Sequence, residues 1–314
     1  MVTILIAVYN GETYLKEQLD SIKKQTDNRW RLIARDDGSS DRSMQILKKF
    51  AEDVDNEVLI YSNDTPSGSA KNNFARLIND ALDASYVMFA DQDDVWKKDK
   101  IKLCMDKMKK LESKYGKDMP ILVHGDLEVV NNNMEIKSKS MFKYSDIRHN
   151  SSLMQLLVQN NVTGCTMLIN KALCNGIAKA AESPDIIMHD YLAAIYAKIF
   201  GKTAFINKPL VSYRQHRKNS IGAKANKNPL YLIKRILKGK ANYQAAMKRS
   251  QRQAAYFLKI YGRQMRRHMT SGFEEFVHYS RLYRMPHYGR IRFYFAARAW
   301  KKGIIRKIMQ FLWG

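Results

Sequence analysis

Residues 86–94 read YVMFADQDD, an apolar run that ends in three carboxylates. The continuous apolar part, residues 86–90, is typical of a strand buried in a parallel sheet. Similar runs and intervening segments with helical spacing precede it: strands are predicted at residues 2–8, 30–34 and 58–61, and helices at 12–26, 41–50 and 70–82. Strand and helix therefore alternate four times in about a hundred residues, which predicts a doubly wound α/β sheet.

Polar residues directly follow three of these predicted strands. Tyr9 follows the first, Asp36 and Asp37 end the second, and residues 91–94 (DQDD) follow the fourth. Ligands of such sheets bind beyond the carboxyl ends of the strands, so we expect these side chains to converge on one face. The sequence contains no GxGxxG, so it lacks the fingerprint of a dinucleotide-binding Rossmann domain.

After residue 100 the pattern is mixed. Helices are predicted at 101–114 and 191–200, the second with His189 and Asp190 at its start, and strands at 121–124, 166–169, 203–206 and 211–213. Residues 218–229 are polar and predict a linker, and residues 230–313 predict basic, aromatic helices. We therefore expect an α/β domain at residues 1–225 and a basic helical extension at 226–314.

Charge and composition limit the class of protein. Hydrophobic residues make up 45% of the 314 residues, which is not a disordered composition. The net charge of +24 is concentrated in residues 226–314, which hold 21 Lys or Arg residues against Glu274 and Glu275. Such a segment is typical of a surface that meets a polyanion.

Cysteine usage and hydropathy indicate the compartment. Cys104, Cys165 and Cys174 fit no zinc spacing, and their odd number argues against a disulfide framework, so a reducing cytoplasm is the simplest setting. The apolar N-terminal run is too short for a signal peptide. No run of 18 apolar residues occurs, so we expect no segment that spans a bilayer.

The acidic turns are candidates for metal and nucleotide binding. Asp91 and Asp93, separated by one residue, can face one divalent cation, because Mg²⁺ and Mn²⁺ take oxygen ligands and share substrate phosphates. The alternative is a solvated turn that caps the next helix. Asp37 is a candidate acceptor for hydrogen bonds from a nucleobase or ribose, whereas Asp41 is expected to cap a helix.

Two motifs in the second half carry further candidates. Asp190 lies at a helix start, where the dipole is expected to keep its pKa low, and it is a candidate general base; the alternative is a capping acid. His216, in the run YRQHRKN at residues 213–219, is a candidate metal ligand or phosphate contact. The basic residues of that run are candidate diphosphate contacts, and the alternative is a surface loop.

Five motifs, taken together and in order, resemble those of family 2 glycosyltransferases with the GT-A fold. They are ILIAVYNGETYLKEQLDSIKKQT, RDDGSSDRS, FADQDDVW, HDY and YRQHRKN, spread over residues 1–225. FADQDDVW and YRQH are especially similar to the motifs of bacterial polysaccharide enzymes, rhamnosyltransferases among them. The resemblance implies an α/β GT-A domain with a mixed, doubly wound sheet, followed by the basic helical extension.

The resemblance also implies a role for each matching residue. Asp190 would be the catalytic base, although His189 stands where many members have Glu. The residues that would bind the donor are Ala7, Tyr9, Glu12, Asp37, Asp91, Asp94 and Trp96. Asp93 and His216 would bind Mn²⁺ or Mg²⁺ or reach the diphosphate, and Asp91 would touch the ribose or the water shell of the metal. Asp94 and Trp96 would shape the donor sugar pocket.

The sequence therefore predicts an inverting, metal-dependent glycosyltransferase. Its donor would be a dTDP- or UDP-linked sugar, with rhamnose favoured, and its acceptor a glycan or a polyprenyl-diphosphate-linked sugar in bacterial surface polysaccharide synthesis. Attack opposite the leaving diphosphate inverts the anomeric centre. A nucleic-acid-binding protein that uses the basic aromatic segment is the alternative; its weakness is that the acidic turns would repel phosphate.

The basic segment indicates where in the cell the protein acts. Residues 289–313, GRIRFYFAARAWKKGIIRKIMQFLW, have a cationic side and a large apolar side, typical of an interfacial helix on anionic lipid. We expect a cytoplasmic enzyme at the inner face of the cell membrane, without nucleic acid as a partner. The alternative is that these helices pack on the catalytic domain or on a second subunit of a homo-oligomer.

Overall fold

A computed structural model describes residues 1–216 and 239–314. Its sheet contains the strands β1 (Val2–Val8), β2 (Trp30–Asp36), β3 (Val58–Ser62), β4 (Tyr86–Asp91), β5 (Val95–Trp96), β6 (Ile121–Val130), β7 (Ile136–Ser138), β8 (Leu168–Asn170) and β9 (Lys202–Arg214). The helices before the gap are α1 (Leu15–Lys23), α2 (Ser43–Glu52), α3 (Ala70–Asp80), α4 (Lys100–Tyr115), α5 (Met141–Tyr144), α6 (Leu153–Val158), α7 (Lys171–Ala181) and α8 (His189–Phe200). Those after it are α9 (Lys240–His268), α10 (Phe273–Arg281), α11 (His287–Ala296) and α12 (Ile304–Trp313).

The strands form one mixed sheet in the order β3-β2-β1-β4-β8-β6-β9-β5, and β7 pairs with β6. The first four strands are parallel, as their apolar runs and helical crossovers predict. Strand β8 is antiparallel to both β4 and β6, and β6 is parallel to β9. The predicted doubly wound, mixed α/β sheet is therefore confirmed.

Strand β9 differs from its prediction. The two short strands predicted at 203–206 and 211–213 are one strand of 13 residues. The pairing of β9 with β6 shifts register near Pro209, which has no amide hydrogen to donate to the sheet. The exposed polar residues Asn207 and Lys208 precede Pro209, so the apolar pattern is interrupted there and the sequence predicts two strands with a gap between them. The short strands β5 and β7 and the helices α5, α6 and α7 carry no clear signal in the sequence and are additions to the predicted elements.

Helices cover both faces of the sheet. Leu5 of β1 faces a core shared with α3, α7 and α8, whereas Ile4 and Ile6 face a second core shared with α1, α2 and α4. This alternation follows from the two-residue period of a strand and buries β1 on both sides. The carboxyl ends of β1, β2 and β4 are thereby left free to build a site at one edge.

The helices after the gap pack on the first of these cores. Phe257 and Tyr261 of α9 and Phe276 of α10 are buried in the same cluster as α8. The Tyr261 hydroxyl donates to the Gly176 carbonyl, and the Gln253 side chain accepts from the Ile187 amide. Packing on the catalytic domain, one of the alternatives for this segment, thus describes α9 and α10. The predicted boundary at residue 225 and the predicted linker at 218–229 lie outside the described residues.

This packing bears on the predicted roles of the aromatic and apolar residues. The buried rings of the basic segment, such as Tyr243, Tyr279 and Tyr294, are not accessible for stacking on nucleobases. In the described ranges, every helix is too short or too polar to cross a membrane. The three cysteines are buried and form no disulfide.

Candidate active site

The strand ends meet as predicted. In the register of the sheet Ala7 pairs with Asp91 on one side and with Arg35 on the other, and Val8 pairs with Asp36. The exit of β1 therefore lies between the two acidic turns that follow β2 and β4. This places Ala7 directly beside Asp91 at the centre of the site.

Gln92 connects the turn after β4 to the turn after β1. Its side-chain oxygen accepts from the Tyr9 amide at 2.8 Å, and its amide group donates to the Tyr9 carbonyl at 2.9 Å. A Cβ at Gly11 would lie 2.6 Å from the same Gln92 oxygen, so a larger residue there would displace the Gln92 side chain. The Gln92 side chain thus holds the backbone on both sides of the Tyr9 ring, which is 55% exposed. In the sequence Gln92 stands between two acids, and nothing in that pattern marks it for this role.

The turn after β2 has a hydrogen-bond network of its own. Asp36 accepts from the amides of Gly38 and Ser39, and Asn10, at a φ of 47°, accepts from the Ser40 amide. Asp41 accepts from the amide of Ser43, the first residue of α2, but the N-cap position is Arg42, so the expectation that Asp41 caps this helix is wrong by one residue.

Glu12 lies at the rim of this network. Its amide donates to Asp41, and its carboxylate faces the Arg42 guanidinium at 3.2 Å. The structure therefore places the Glu12 side chain against Arg42, and its role in nucleotide binding stays a prediction.

Asp37 is held rigidly at the edge of the site. It is buried, and its carboxylate accepts from Asn63 at 2.6 Å, from the Ser67 amide at 2.5 Å and from the Ser67 hydroxyl at 2.8 Å. A carboxylate has about four lone-pair directions, so three protein donors leave room for one more. This arrangement suits an acceptor whose position is fixed before a ligand arrives.

Asp93 and His216 meet in the structure. Nε2 of His216 lies 2.6 Å from Oδ2 of Asp93, and the imidazole stacks on the Tyr14 ring with a centroid separation of 5.1 Å. The two residues are 123 positions apart, and the ends of β4 and β9 bring them together. The two residues that the resemblance assigns to one metal ion thus form a carboxylate–imidazole pair.

Arg214 holds the backbone beside this pair. It is 1% exposed and donates to the Asp93 carbonyl at 2.9 Å and to the Asn132 carbonyl at 2.6 Å, and it forms an ion pair with Glu17. The interpretation of Arg214 as a diphosphate contact is wrong, because its guanidinium is buried in these contacts. Arg217 and Lys218, the other basic residues of that motif, lie outside the described residues.

Asp94 and Trp96 point into the protein. They are 0% and 3% exposed, and Oδ1 of Asp94 accepts from the Arg214 amide at 3.1 Å. Burial raises the pKa of Asp94 well above its ordinary value, with Asp91 adding to the effect. Direct contact between either side chain and a donor sugar would require this turn to open, so their role in the sugar pocket stays a prediction.

A buried cation lies beneath the acidic turn. The Lys100 ammonium lies 2.9 Å from the Trp96 ring centroid and donates to the Cys165 carbonyl at 2.7 Å. Burial lowers the pKa of Lys100 to about 7, although Cys165, Asp94 and Asp91 favour its charged form. The sequence does not single out Lys100, since it looks like one lysine among many in α4.

Asp91 carries excess negative potential. Its pKa is raised to about 7, mainly by burial and then by the charges of Asp93 and Asp190. The positive charge of Lys100 partly offsets this rise in the pKa of Asp91. A divalent cation at this position would relieve the repulsion, so the electrostatics of the described residues fit a metal.

Two sets of ligand atoms are available for such a cation. The first is the pair of Asp93 and His216, which offers one carboxylate and one imidazole. A second set, Asp91, Asp94 and Cys165, has its ligand atoms within 4.8 Å of one another. Burial raises the pKa of Cys165 well above its ordinary value, so its thiol stays protonated. Mg²⁺ and Mn²⁺ prefer oxygen ligands, so the carboxylates of either set suit them and the protonated Cys165 thiol does not.

Asp190 lies at the start of α8 and faces the same cluster. Its carboxylate accepts from Asn160 and from the Gly164 amide, each at 3.1 Å. Burial raises the pKa of Asp190 to about 7 and outweighs these hydrogen bonds. The expected low pKa is therefore wrong, because desolvation exceeds the effect of the helix dipole. A carboxylate with this pKa is well matched to proton abstraction near neutral pH.

His189 is a core residue. Its ring centroid lies 4.2 Å from that of Phe74 and 4.7 Å from that of Phe89, and neither ring nitrogen has a hydrogen-bond partner in the described part of the chain. Burial lowers the pKa of His189 to about 3. The side chain that precedes the candidate base therefore takes part in packing and is directed away from solvent.

Comparison with known proteins agrees with this geometry. The family model described as glycosyl transferase family 2 matches residues 3–169. The dTDP-rhamnosyl transferase RfbG of Shigella flexneri is 30% identical over 227 residues, 69% of this chain and 74% of that protein. The chain belongs to glycosyl transferase family 2, and the predicted resemblance is confirmed. The protein is a glycosyltransferase.

Further relatives and solved structures extend this result. The glucosyltransferase WfgD of Escherichia coli is 28% identical over 56% of this chain and 62% of its own length, and the uncharacterized glycosyltransferase RP339 of Rickettsia prowazekii is 28% identical over 69% and 64%. The chain thus spans less than two thirds of these two relatives. The crystal structure of S. aureus TarS 1-349 with UDP-GlcNAc superposes with a TM-score of 0.56 at 14% identity, over 99% of this chain and 89% of TarS 1-349. The likeness confirms the predicted GT-A fold.

Proposed function

We propose that the protein transfers a sugar from a nucleotide-diphosphate donor to an acceptor hydroxyl with inversion, using a divalent cation. The observation that carries the proposal is the pairing of Asp93 with His216 at the strand ends, with Asp190 and its pKa of about 7 facing the same acidic cluster. In this proposal Asp93 and His216 bind the metal and Asp190 takes the proton.

The donor half of the site lies along the exits of β1 and β2. Ala7, the exposed Tyr9 ring and the Asp37 carboxylate line the proposed nucleotide position. Asp93 and His216 would hold Mn²⁺ or Mg²⁺, and Asp91 would face the ribose or the water around the metal. When bound, the cation would stabilise the charge that develops on the leaving diphosphate.

The acceptor half of the site is centred on Asp190. Its carboxylate removes the proton of the acceptor hydroxyl as that oxygen attacks the anomeric carbon from the side opposite the diphosphate. Asn160 and the Gly164 amide hold the carboxylate in one orientation while the reaction proceeds. A base placed in this way contributes roughly 10²–10⁴-fold in rate. Because the oxygen attacks directly, no covalent sugar–enzyme intermediate forms.

The relatives support a choice of substrates. The name of RfbG supports dTDP-rhamnose as the donor. The name of WfgD specifies a sugar on diphosphoundecaprenol as its acceptor, which supports a polyprenyl-diphosphate-linked sugar or a growing polysaccharide here. Nucleotide sugars and such lipids meet at the inner face of a bacterial membrane, so the proposal places the enzyme in the cytoplasm at that face.

Donor binding is the first test of this function. Thermal unfolding is measured with dTDP-rhamnose, UDP-glucose, UDP-galactose, UDP-N-acetylglucosamine and GDP-mannose, each with Mn²⁺ and with EDTA. A ligand that binds only the folded state raises the melting temperature. We expect the largest rise with dTDP-rhamnose and Mn²⁺, and its loss with EDTA.

The same measurement on variants assigns the effect to the site. Asp93→Asn should lose the metal-dependent rise, whereas Asp106→Asn, an exposed acid on α4, should keep it. A rise that survives EDTA would contradict the metal dependence, and no response to any of the five donors would contradict the donor proposal. The anomeric configuration of the product, determined by NMR, tests inversion separately.

A further inference from the structure

Exposed apolar side chains are concentrated near the end of the chain. Of eleven large hydrophobic side chains that are exposed in the described residues, six lie between positions 288 and 312. They are Tyr288, Phe295, Ile304, Ile308, Phe311 and Leu312. Apolar groups that cluster on a surface mark a contact with another molecule or with a membrane.

Helix α12 presents such a surface because its other face is fixed. Ile304, Ile308 and Phe311 follow the spacing i, i+4 and i+7 and share one exposed face. On the opposite face the buried Gln310 donates to the Ala299 carbonyl at 2.7 Å and accepts from the Lys301 amide at 2.9 Å. These hydrogen bonds set the rotation of α12 and hold its apolar face outward.

Helix α11 repeats the arrangement. Tyr288, Arg292 and Phe295 have the same spacing and are exposed, whereas Phe293 and Tyr294 are buried. Phe295 also packs on Trp300 of the segment that joins α11 to α12, with ring centroids 4.9 Å apart. Both helices thus point mixed apolar and cationic faces away from the core.

The charge of the segment that carries these faces has one sign. Residues 276–314 contain nine Lys or Arg residues and neither Asp nor Glu. Arg284, Arg292, Arg298 and Lys307 are exposed. A second copy of the chain would bring the same cations to the same place, which disfavours a symmetric dimer through this surface. An anionic partner with an apolar interior fits both the charge and the apolar side chains.

We propose that the outer faces of α11 and α12 form a docking surface for an anionic lipid bilayer. The docking surface consists of Tyr288, Arg292, Phe295, Ile304, Lys307, Ile308, Phe311 and Leu312. The apolar side chains enter the boundary between headgroups and acyl chains, and the cations contact lipid phosphates. This inference names the side chains that would hold the enzyme at the membrane. Its relevance to glycan synthesis rests on the proposed function.

Vesicle binding tests the docking surface without any sugar donor. The full chain is sedimented with vesicles of phosphatidylcholine alone and of phosphatidylcholine with phosphatidylglycerol, at low and at high salt. We expect binding to the anionic vesicles and weakening by salt. Equal binding to neutral and anionic vesicles, or no binding to either, would overturn the proposal.

Matched variants locate the contact. Ile308→Ser combined with Phe311→Ser should weaken binding at least tenfold, whereas Ile136→Ser, an exposed apolar residue on β7, should not. Lys307→Glu should weaken binding about fivefold or more, and Lys48→Glu, an exposed lysine on α2, should change it less. Unchanged thermal unfolding of each variant shows that the fold is intact.

Two further readouts separate this inference from others. If light scattering shows a dimer that the Ile308→Ser and Phe311→Ser pair dissociates, the surface joins two copies and the lipid proposal is wrong. Transfer to a soluble acceptor should be unchanged in this pair, because neither residue lies in the candidate site. Vesicle binding with no transfer activity would contradict the proposed function and leave the docking surface intact.

Discussion

Nε2 of His216 lies 2.6 Å from Oδ2 of Asp93, across 123 residues of sequence. The carboxylate follows the end of strand β4, and the imidazole follows the end of strand β9. Arg214, two residues before His216, donates to the Asp93 carbonyl and so connects the two strand ends. The proposed metal site requires a pair that converges from two strands in this way.

Loss of either member should weaken metal binding. Asp93→Asn removes the charge that a divalent cation requires, and His216→Ala removes one ligand atom. We expect Mn²⁺ affinity to fall at least tenfold in both variants, a size comparable with effects seen even for second-shell residues. Isothermal titration with Mn²⁺ measures this directly. If Cys165→Ser lowers the affinity more than His216→Ala does, the Asp91, Asp94 and Cys165 set is the metal site instead.

The pH dependence of transfer should report Asp190. The base must be deprotonated to act, and burial raises its pKa to about 7. The kcat/KM should therefore rise with pH through about 7 and level off above it. A profile already flat from pH 5 to pH 8 would contradict the assignment.

Asp190→Asn tests the same base from the chemical side. The amide keeps the shape of the side chain but cannot take a proton, so kcat should fall by roughly 10²–10⁴-fold. Donor binding, followed by the metal-dependent rise in melting temperature, should stay near that of the wild type. Loss of donor binding in Asp190→Asn would show that this residue holds the nucleotide sugar.

The first half of the fold is predictable because its signals are local. The apolar runs of β1 and β4 are buried on both faces, so composition alone marks them, and each acidic turn follows its strand directly. Convergence of Asp37, Asp91 and Asp93 then follows from the geometry of a parallel sheet. The amino-acid sequence alone therefore suffices to name the metal and nucleotide candidates.

The support of the site is not predictable in this way, because it depends on long-range contacts. Arg214 resembles a surface cation in sequence, but Glu17 and Tyr14 of a distant segment contact its buried guanidinium. The Gly164 amide reaches Asp190 across 26 residues, and Lys100 reaches the Cys165 carbonyl across 65. Burial also reverses the expected direction of the Asp190 pKa.

His189 should make the protein sensitive to acid. The unfolded residue has an ordinary pKa of 6.5, whereas burial lowers the folded value to about 3. The unfolded state therefore binds a proton first, and stability is lost as pH falls from about 6.5 toward 3. In His189→Leu this loss should be absent, a difference of about 2–3 kcal/mol at pH 4.5.

Urea unfolding between pH 7 and pH 4.5 measures this difference. His268→Leu, at an exposed position of α9, provides a control for the loss of a histidine in general. Parallel curves for wild type and His189→Leu would show that the folded protein accommodates the charged imidazole.

Arg214 should couple stability to metal binding. Arg214→Met leaves the Asp93 and Asn132 carbonyls without their donors, so the free energy of unfolding should fall by about 2 kcal/mol. This decrease in the free energy of unfolding should be smaller than the decrease caused by breaking a fully buried ion pair, because the Glu17 side chain is 55% exposed. Mn²⁺ affinity should fall as well, since the turn that carries Asp93 is no longer held against β9.

The conservative variant distinguishes positioning from simple destabilisation. Arg214→Lys keeps the charge but lacks the planar group that reaches three acceptors, so it should recover stability better than Mn²⁺ affinity. Glu17→Gln, which keeps a hydrogen-bond acceptor at the same place, should change both quantities little. If Arg214→Met binds Mn²⁺ as tightly as the wild type under conditions where it is fully folded, Arg214 serves the fold alone, and the Asp93–His216 pair is positioned by other contacts.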